Sequence, residues 1–478
     1  MHDVTLTVGR GELAAIIGTS GSGKATLLRV MSGLHVPASG TVLRHVAGDR
    51  RPAGGPPSGQ VGYIPSGDTM HPVLPLARAL RYTAELRGVH CSSATADRAL
   101  GLVGLAAEAS APVGVLDPGE RKRAAVAAEL LAGPAQLFLD EPTAGLDPAQ
   151  ATEVLRLLRR LSHGGMTVLL TTSSPMDAAR CDKVAVLAGG GHLAFYGTPV
   201  AARGYFGADS LQEIYEGLAG LGDPAAAWSR RFFYFSRTRV GSALAPTTPR
   251  APGPAVLVPD AAGPHSAGRP GLAFTGPAAD DGTDDEEDET TFATSPAALR
   301  SPDGPALGGA ARPLRPVSQL PVLIKRDVEV IARGRRTQAI LAGVPVAILL
   351  AFCVLLGVGA LDGSAVVTLA WAVLGGLAAG LAYELPAARG SESRALRGEV
   401  FSGLSTAAFA LAKAAVRLPV LAVADVLVLA VPAIAGRLPG GFGPAYLAVA
   451  VSSAIGLAAA LAVAVISARR SLSRPGGS

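Results

Sequence analysis

A chain of 478 residues is too long for one ordinary domain, and its composition divides it, a mixed-charge first half giving way to an Ala/Leu/Val-rich last third. The net charge of +5 is spread thinly, with no dense Lys/Arg block interleaved with aromatics, which argues against a nucleic-acid partner. Cys91, Cys181 and Cys353 stand far apart, so neither a disulfide framework nor a paired-cysteine metal site is expected, and a reducing cytosol fits.

In chain order, Met1 to Gly9 lacks the basic-then-apolar order of a signal peptide, so the first domain is expected to remain in the cytoplasm. The apolar run Leu13 to Ile17 reads as a strand that feeds Gly18, Thr19, Ser20, Gly21, Ser22, Gly23, Lys24, Ala25 and Thr26, and a helix follows over Thr26 to Met31. A glycine-rich loop entering a helix aims backbone N–H groups and the helix N-terminus at phosphate, and Lys24 adds the cation. The hydroxyl that should follow the lysine and hold Mg²⁺ is replaced by Ala25. Further β-rich runs at Val61 to Ile64, Leu137 to Leu139, Thr167 to Thr171 and Val184 to Leu187, with a helical stretch over Ala149 to Leu161, give an α/β pattern. The strand at Leu137 ends in two carboxylates, Asp140 and Glu141, and together with the phosphate loop it points to ATP.

From about Thr238 to Pro316 the chain is rich in Pro, Gly, Ala and Ser and includes the acidic run Asp280 to Glu289, a composition that cannot bury a core and reads as a linker. Gln319 to Arg336 mixes Val322, Leu323, Val328 and Ile331 with Lys325, Arg326, Arg333, Arg335 and Arg336, the pattern of a helix on an anionic membrane face. Thr337 to Ala360, Ser364 to Tyr383, Ala414 to Ala435 and Pro444 to Ser467 are each near the ~20 apolar residues that cross a bilayer. Basic residues before the first span, between the second and third (Arg389, Arg394, Arg397, Lys413) and after the fourth (Arg469, Arg470) place those segments on the cytoplasmic side. Asp425, near the middle of the third span, needs a cavity or a partner helix, as a substrate-path residue or an interhelical hydrogen bond. His71 and His192 read as loop residues.

The order of phosphate loop, Tyr63-Ile-Pro-Ser-Gly-Asp68, Leu116-Asp-Pro-Gly-Glu120 and the strand ending in Asp140-Glu141 resembles an ATP-binding cassette. Placed ahead of membrane spans, it resembles a bacterial G-type half-transporter. The resemblance implies an α/β P-loop NTPase cassette followed by an all-α polytopic membrane domain. It implies ATP and Mg²⁺ as cofactors, and a homodimer or a heterodimer with another half-transporter. Asp140 would hold the Mg²⁺ shell, Glu141 would polarise the attacking water, and the loop ending in Asp147 would sense the partner's site.

Other positions depart from the family. Ser66 stands where a glutamine joins the metal to the membrane domain, and Ser173 replaces the switch histidine. The signature serine and glycine become Asp117 and Pro118, between Leu116 and the retained Gly119, with Glu120 in the place of the glutamine. A carboxylate ~5 Å from phosphate is opposed by roughly 3 kcal/mol per unit charge at an effective dielectric of ~20, and Pro118 removes a donor. An intrinsically weak ATPase is therefore expected: a transporter half, an exporter by resemblance, completed by an intact partner, or alternatively a non-hydrolysing, nucleotide-binding regulatory membrane subunit of a heterodimer or a decayed copy. Met1 lies too close to Gly18 to include the family's adenine-stacking aromatic, and four spans are read where the family has six. The expected division is a nucleotide-binding domain over 1–207, a helical tail and linker over 208–318, an amphipathic connecting helix over 319–336 and a partial membrane domain over 337–478.

Overall fold

The computed structural model describes residues 1–2, 4–46, 49–52, 61–220, 228–233, 235, 315–357, 365–389, 396, 399–400, 404–436, 438 and 440–473. The acidic run and most of the expected linker lie outside these residues.

Six strands form the central sheet: β1 (Leu13–Gly18), β4 (Val61–Ile64), β5 (Gln136–Asp140), β6 (Thr167–Thr171), β7 (Lys183–Ala188) and β8 (His192–Gly197). They lie in the order β4-β5-β6-β1-β7-β8, parallel except for β8, while β2 (Leu43–Val46) and β3 (Asp49–Pro52) make a separate hairpin. All the strands expected from sequence are present. Strands covered on both faces read as continuous apolar runs, and Leu13, Ala14, Ala15, Ile16 and Ile17 are each all but inaccessible. Helices α1 (Lys24–Ser32), α2 (Leu76–Leu86), α3 (Ser93–Leu102), α4 (Pro118–Leu130) and α5 (Pro148–His163) supply the covering layers with α6 (Pro175–Ala179) and α7 (Pro199–Phe206). Leu211 and Ile214 of α8 (Leu211–Gly220) join the same apolar core, and Trp228, Phe232 and Phe235 pack against it. His192 opens β8 and stacks on His2, which corrects the expectation that it lies in a loop: backbone pairing to Ala188 claims it for the strand.

Because β5, β6 and β1 are adjacent and parallel, their carboxyl ends fall together. The register pairs Asp140 with Thr171, and Ile16 with Thr171, so the phosphate loop leaves β1 beside the two Walker-type carboxylates.

The second half is helical. It consists of α9 (Pro316–Arg333), α10 (Arg335–Gly357), α11 (Ala365–Arg389), α12 (Thr406–Ile434) and α13 (Phe442–Ser473). Among the described residues three helices are long and apolar enough to cross a membrane, Ala365–Glu384, Thr406–Ile434 and Phe442–Ser467, and Thr337–Ala351 is a shorter apolar segment within α10. α9 is less a surface helix than its sequence suggests. One face docks on the cassette, where the Tyr82 hydroxyl donates to Glu329 Oε2 at 2.6 Å and Leu86 packs among Leu323, Leu396, Leu404 and Phe409.

Its other buried face meets the apolar helices through charge. Lys413 Nζ lies 3.1 Å from Asp327 and 3.5 Å from Glu384, and Arg417 Nε donates to Glu384 at 2.7 Å. Buried charges persist only when paired in this way. His71 is buried beside this network, lining a small cavity with Arg326, Asp327 and Lys413, a placement its sequence neighbourhood did not announce. Further along α12, Ser453 Oγ of α13 donates to Asp425 Oδ1 at 2.8 Å, the interhelical use foreseen for that carboxylate. α11 and α13 cross backbone to backbone: a Cβ added at Gly380 would collide with the Ser453 carbonyl, and one at Gly456 with that of Leu377.

Candidate functional site

The phosphate loop is shaped by residues that tolerate positive φ, Gly21 at 78° and Gly23 at 92°. Gly23 is the N-cap of α1, and no side chain caps that helix. Its first-turn N–H groups therefore remain an anion site. Lys24 Nζ donates to the Gly18 carbonyl at 2.9 Å and lies 3.7 Å from Glu141 Oε1. Ala25 presents only a methyl group beside it.

Asp140 is buried at the end of β5. Thr171 Oγ1 donates to its Oδ1 at 2.7 Å and accepts from the Glu141 N–H at 2.9 Å, so a single hydroxyl fixes both carboxylate residues. Arg29 Nη2 lies 3.9 Å from Asp140 Oδ2. Burial pushes the Asp140 carboxyl above its ordinary value, against the Thr171 hydrogen bond and the Arg29 charge. Glu141 has φ 48°, a conformation L side chains seldom adopt, and Ser173 holds it there. The Ser173 N–H donates to Oε2 at 3.0 Å and its hydroxyl to Oε1 at 2.6 Å. Ser173 thus keeps a grip on Glu141 that the loss of a histidine would not suggest.

The signature segment differs from the phosphate loop in kind. Asp117 is the N-cap of α4, accepting from the Glu120 N–H at 2.7 Å, while Glu120 Oε2 accepts from the Asp117 N–H at 2.8 Å. This is a full capping box with Pro118 in the first helical turn, where its missing N–H is one of the groups that go unbonded within a helix anyway. Leu116 is buried beneath it, and Gly119 abuts Gln150 of α5. Asp147 caps α5 in turn, accepting from the Gln150 N–H at 2.9 Å. Asp117 and Asp147 bond within their own helix starts and do not reach the phosphate loop of the same chain.

Ser66 enters through its backbone, its carbonyl accepting from Lys122 Nζ of α4. Burial lowers the Lys122 pKa, while the neighbouring Asp68, Asp140 and Glu141 hold it up. Arg121 pairs with Asp68 at 3.4 Å on the same loop. Thr171, Arg29 and Lys122 are site residues that sequence reasoning missed. Aligning the ends of the parallel strands would have found Thr171, and the four-residue spacing from Ala25 would have placed Arg29 on the same helix face. Lys122 reaches Ser66 only through the tertiary fold.

A phosphate loop at the end of β1 with paired carboxylates at the end of the next strand but one defines a P-loop nucleotide-binding cassette. Residues 1–144 match the ABC transporter family model. A lipoprotein-releasing system ATP-binding protein of Bordetella avium is 38% identical over 202 residues, covering 40% of this chain and 86% of that protein. This chain belongs to the ABC transporter family, and it joins the family's ATP-binding domain to a membrane part. An ABC transporter ATP-binding/permease protein of Mycobacterium tuberculosis is 37% identical over 246 residues, 50% of this chain and 27% of its own. An ABC transporter G family member of Dictyostelium discoideum is 32% identical over 218 residues, 45% of this chain and 30% of its own. The chain thus spans about a third or less of those two relatives.

The family's implied Mg²⁺ fits poorly here. Magnesium takes near-octahedral oxygen ligation, from water and substrate phosphates with one or two protein oxygens, and those protein oxygens are what this site is short of. Ala25 offers no oxygen, the Ser66 carbonyl is taken by Lys122, Asp140 gives one oxygen to Thr171 and turns the other towards Arg29, and Glu141 is held by Ser173 and Lys24. Among the described residues no cluster of three His, Cys, Asp or Glu side chains could hold a metal.

Proposed function

We propose that the chain is the ATP-binding subunit and part of the permease of an exporter that works as a dimer in the cell membrane, its cassette in the cytoplasm, with a partner half-transporter supplying the signature cap that this chain's phosphate loop needs. The observation that carries this is the contrast at its own helix starts. The N-terminus of α1 is open to phosphate, whereas that of α4, which would cap the partner's nucleotide, is filled by the chain's own Asp117 and Glu120. A homodimer would place a filled signature opposite both phosphate loops. A heterodimer leaves one composite site with a competent cap, the one built from this chain's loop and the partner's signature.

ATPase turnover of the purified full chain in nanodiscs, alone and with a half-transporter encoded beside it, tests this. Little turnover alone and a clear rise with the partner is expected; vigorous Glu141-dependent turnover by the chain alone overturns it. The second reading, a nucleotide-binding subunit that does not hydrolyse, is favoured by Ala25 and is selected if no partner raises turnover. Orientation is tested with single cysteines in a cysteine-free version. Gly363→Cys and Gly441→Cys should react with an impermeant thiol reagent in intact cells, and Ser391→Cys should not.

A further inference from the structure

We propose that this site takes the metal-free nucleoside triphosphate, with Arg29 and Lys122 supplying the positive charge that a divalent cation brings to a related cassette. The proposal rests on the reading of the loop as a nucleotide site and goes beyond it to the ionic form of the ligand.

Two independent replacements coincide with two protein cations. Ala25 removes the hydroxyl that would ligate a metal, and Arg29 stands four residues on, on the same face of α1. Side chains on a helix lean towards its N-terminus, so Arg29 leans back over Ala25, a residue with only a methyl to obstruct it. Its Nη2 comes to 3.9 Å from Asp140 Oδ2 and the guanidinium lies beside the Tyr63 hydroxyl, while Nε and Nη1 are buried without a hydrogen-bond partner of good geometry. Those are donors in the fork geometry that suits phosphate. On the other side, Ser66 removes the glutamine, and Lys122 Nζ binds the Ser66 carbonyl.

Lys24, Arg29, Arg121 and Lys122 thus stand among Asp68, Asp140 and Glu141, four cations to three carboxylates. Where a bound divalent ion is present it is the largest local charge in a phosphate site. Here a divalent ion would enter a region already positive and would find no oxygen on the Ala25 side chain and only the short hydroxyl of Ser66 where a glutamine would reach. The bare triphosphate, more anionic than its magnesium complex, is the better complement.

The test is isothermal titration of the full chain in nanodiscs with ATP, once in EDTA and once in excess MgCl₂. Affinity in EDTA should equal or exceed that in magnesium, within about threefold. Arg29→Gln should weaken binding in EDTA by about tenfold and Lys122→Gln by about threefold, each with a smaller effect in magnesium. Ala25→Ser should shift the preference towards magnesium by about tenfold. Thermal unfolding of each variant without nucleotide separates lost contacts from lost fold, and if Arg29→Gln does not fold, Lys122→Gln and Ala25→Ser decide. A loss of more than about tenfold in EDTA by the unmodified chain overturns the proposal while leaving the nucleotide reading intact. No binding in either medium overturns both.

Discussion

Two helix starts in this molecule face the same chemical task and meet it differently. α1 begins at Gly23 without a side-chain cap, so its first N–H groups and the positive end of its dipole are available to a ligand. α4 begins at Asp117 with a reciprocal capping box, so the equivalent groups are satisfied internally. Both are stable helix N-termini, but only one leaves its first N–H groups without a side-chain cap. A helix start can be stabilised by its own sequence or left open to an incoming anion, and the choice reads out as one residue, glycine or aspartate.

The largest test of this contrast is at the open end. Lys24→Ala should weaken ATP binding by about 100-fold or more, measured by titration with or without magnesium, because the loop's side-chain cation goes while its backbone stays. Retention of most of the affinity would mean that α1 is not the receptor.

The next largest is restoration. Ala25→Ser, Ser66→Gln, Asp117→Ser, Pro118→Gly and Ser173→His combined should raise the turnover of the chain alone by about 100-fold, while each change by itself should give less than about threefold, since groups that act together are not additive. A single reversion that recovered most of the rate would show that one helix start, not the whole constellation, limits catalysis.

At the closed end, Asp117→Ala should cost about 1 kcal/mol of cassette stability in denaturant unfolding, with Asp117→Ser nearly neutral because serine also caps. Equal stability of all three would remove the structural reason for the aspartate.

The smallest expected effect lies away from both starts, at the joint between α2 and α9. Burial alone would raise Glu329, but the Tyr82 hydroxyl and the Arg78 and Arg333 guanidinium groups outweigh it and lower its pKa. A carboxylate depressed in the folded state contributes stability above its ordinary value and loses it as pH falls through the depressed one. Urea unfolding between about pH 3 and 6 should therefore show an acid limb that Glu329→Gln flattens, with Lys24-dependent ATP binding unaffected by that substitution at neutral pH.

What could be read from the chain alone follows from how local each signal is. The strands around Ile16, Leu139 and Leu170 were legible because burial on both faces writes an unbroken apolar run. The apolar helices were legible because bilayer thickness sets a length, though α9's docking on the cassette was not, since Glu329 finds Tyr82 247 residues away and Leu323 finds Leu86, both across the linker. Asp117 was read as a charge placed against phosphate. The spacing to Glu120 carried the other meaning, a capping box, and the structure satisfies both carboxylates locally. Ser173 and Glu141 show the reverse limit: a residue type can change while the grip persists through a backbone N–H that no sequence displays.

The crossing of α11 and α13 has a mechanical consequence. At Gly380 and Gly456 main chain rests on main chain, with no side chain at those two points to be compressed, rotated or slid past. The two helices behave as one plank. Any rocking that opens or closes a passage must be taken up elsewhere, and α12 is held to its neighbours differently, by Lys413 and Arg417 shared between Asp327 and Glu384. Ion pairs with two partners each can trade one for the other without leaving a charge stranded, so the contact of α12 with α9 and α11 tolerates small displacements that the crossing of α11 and α13 does not.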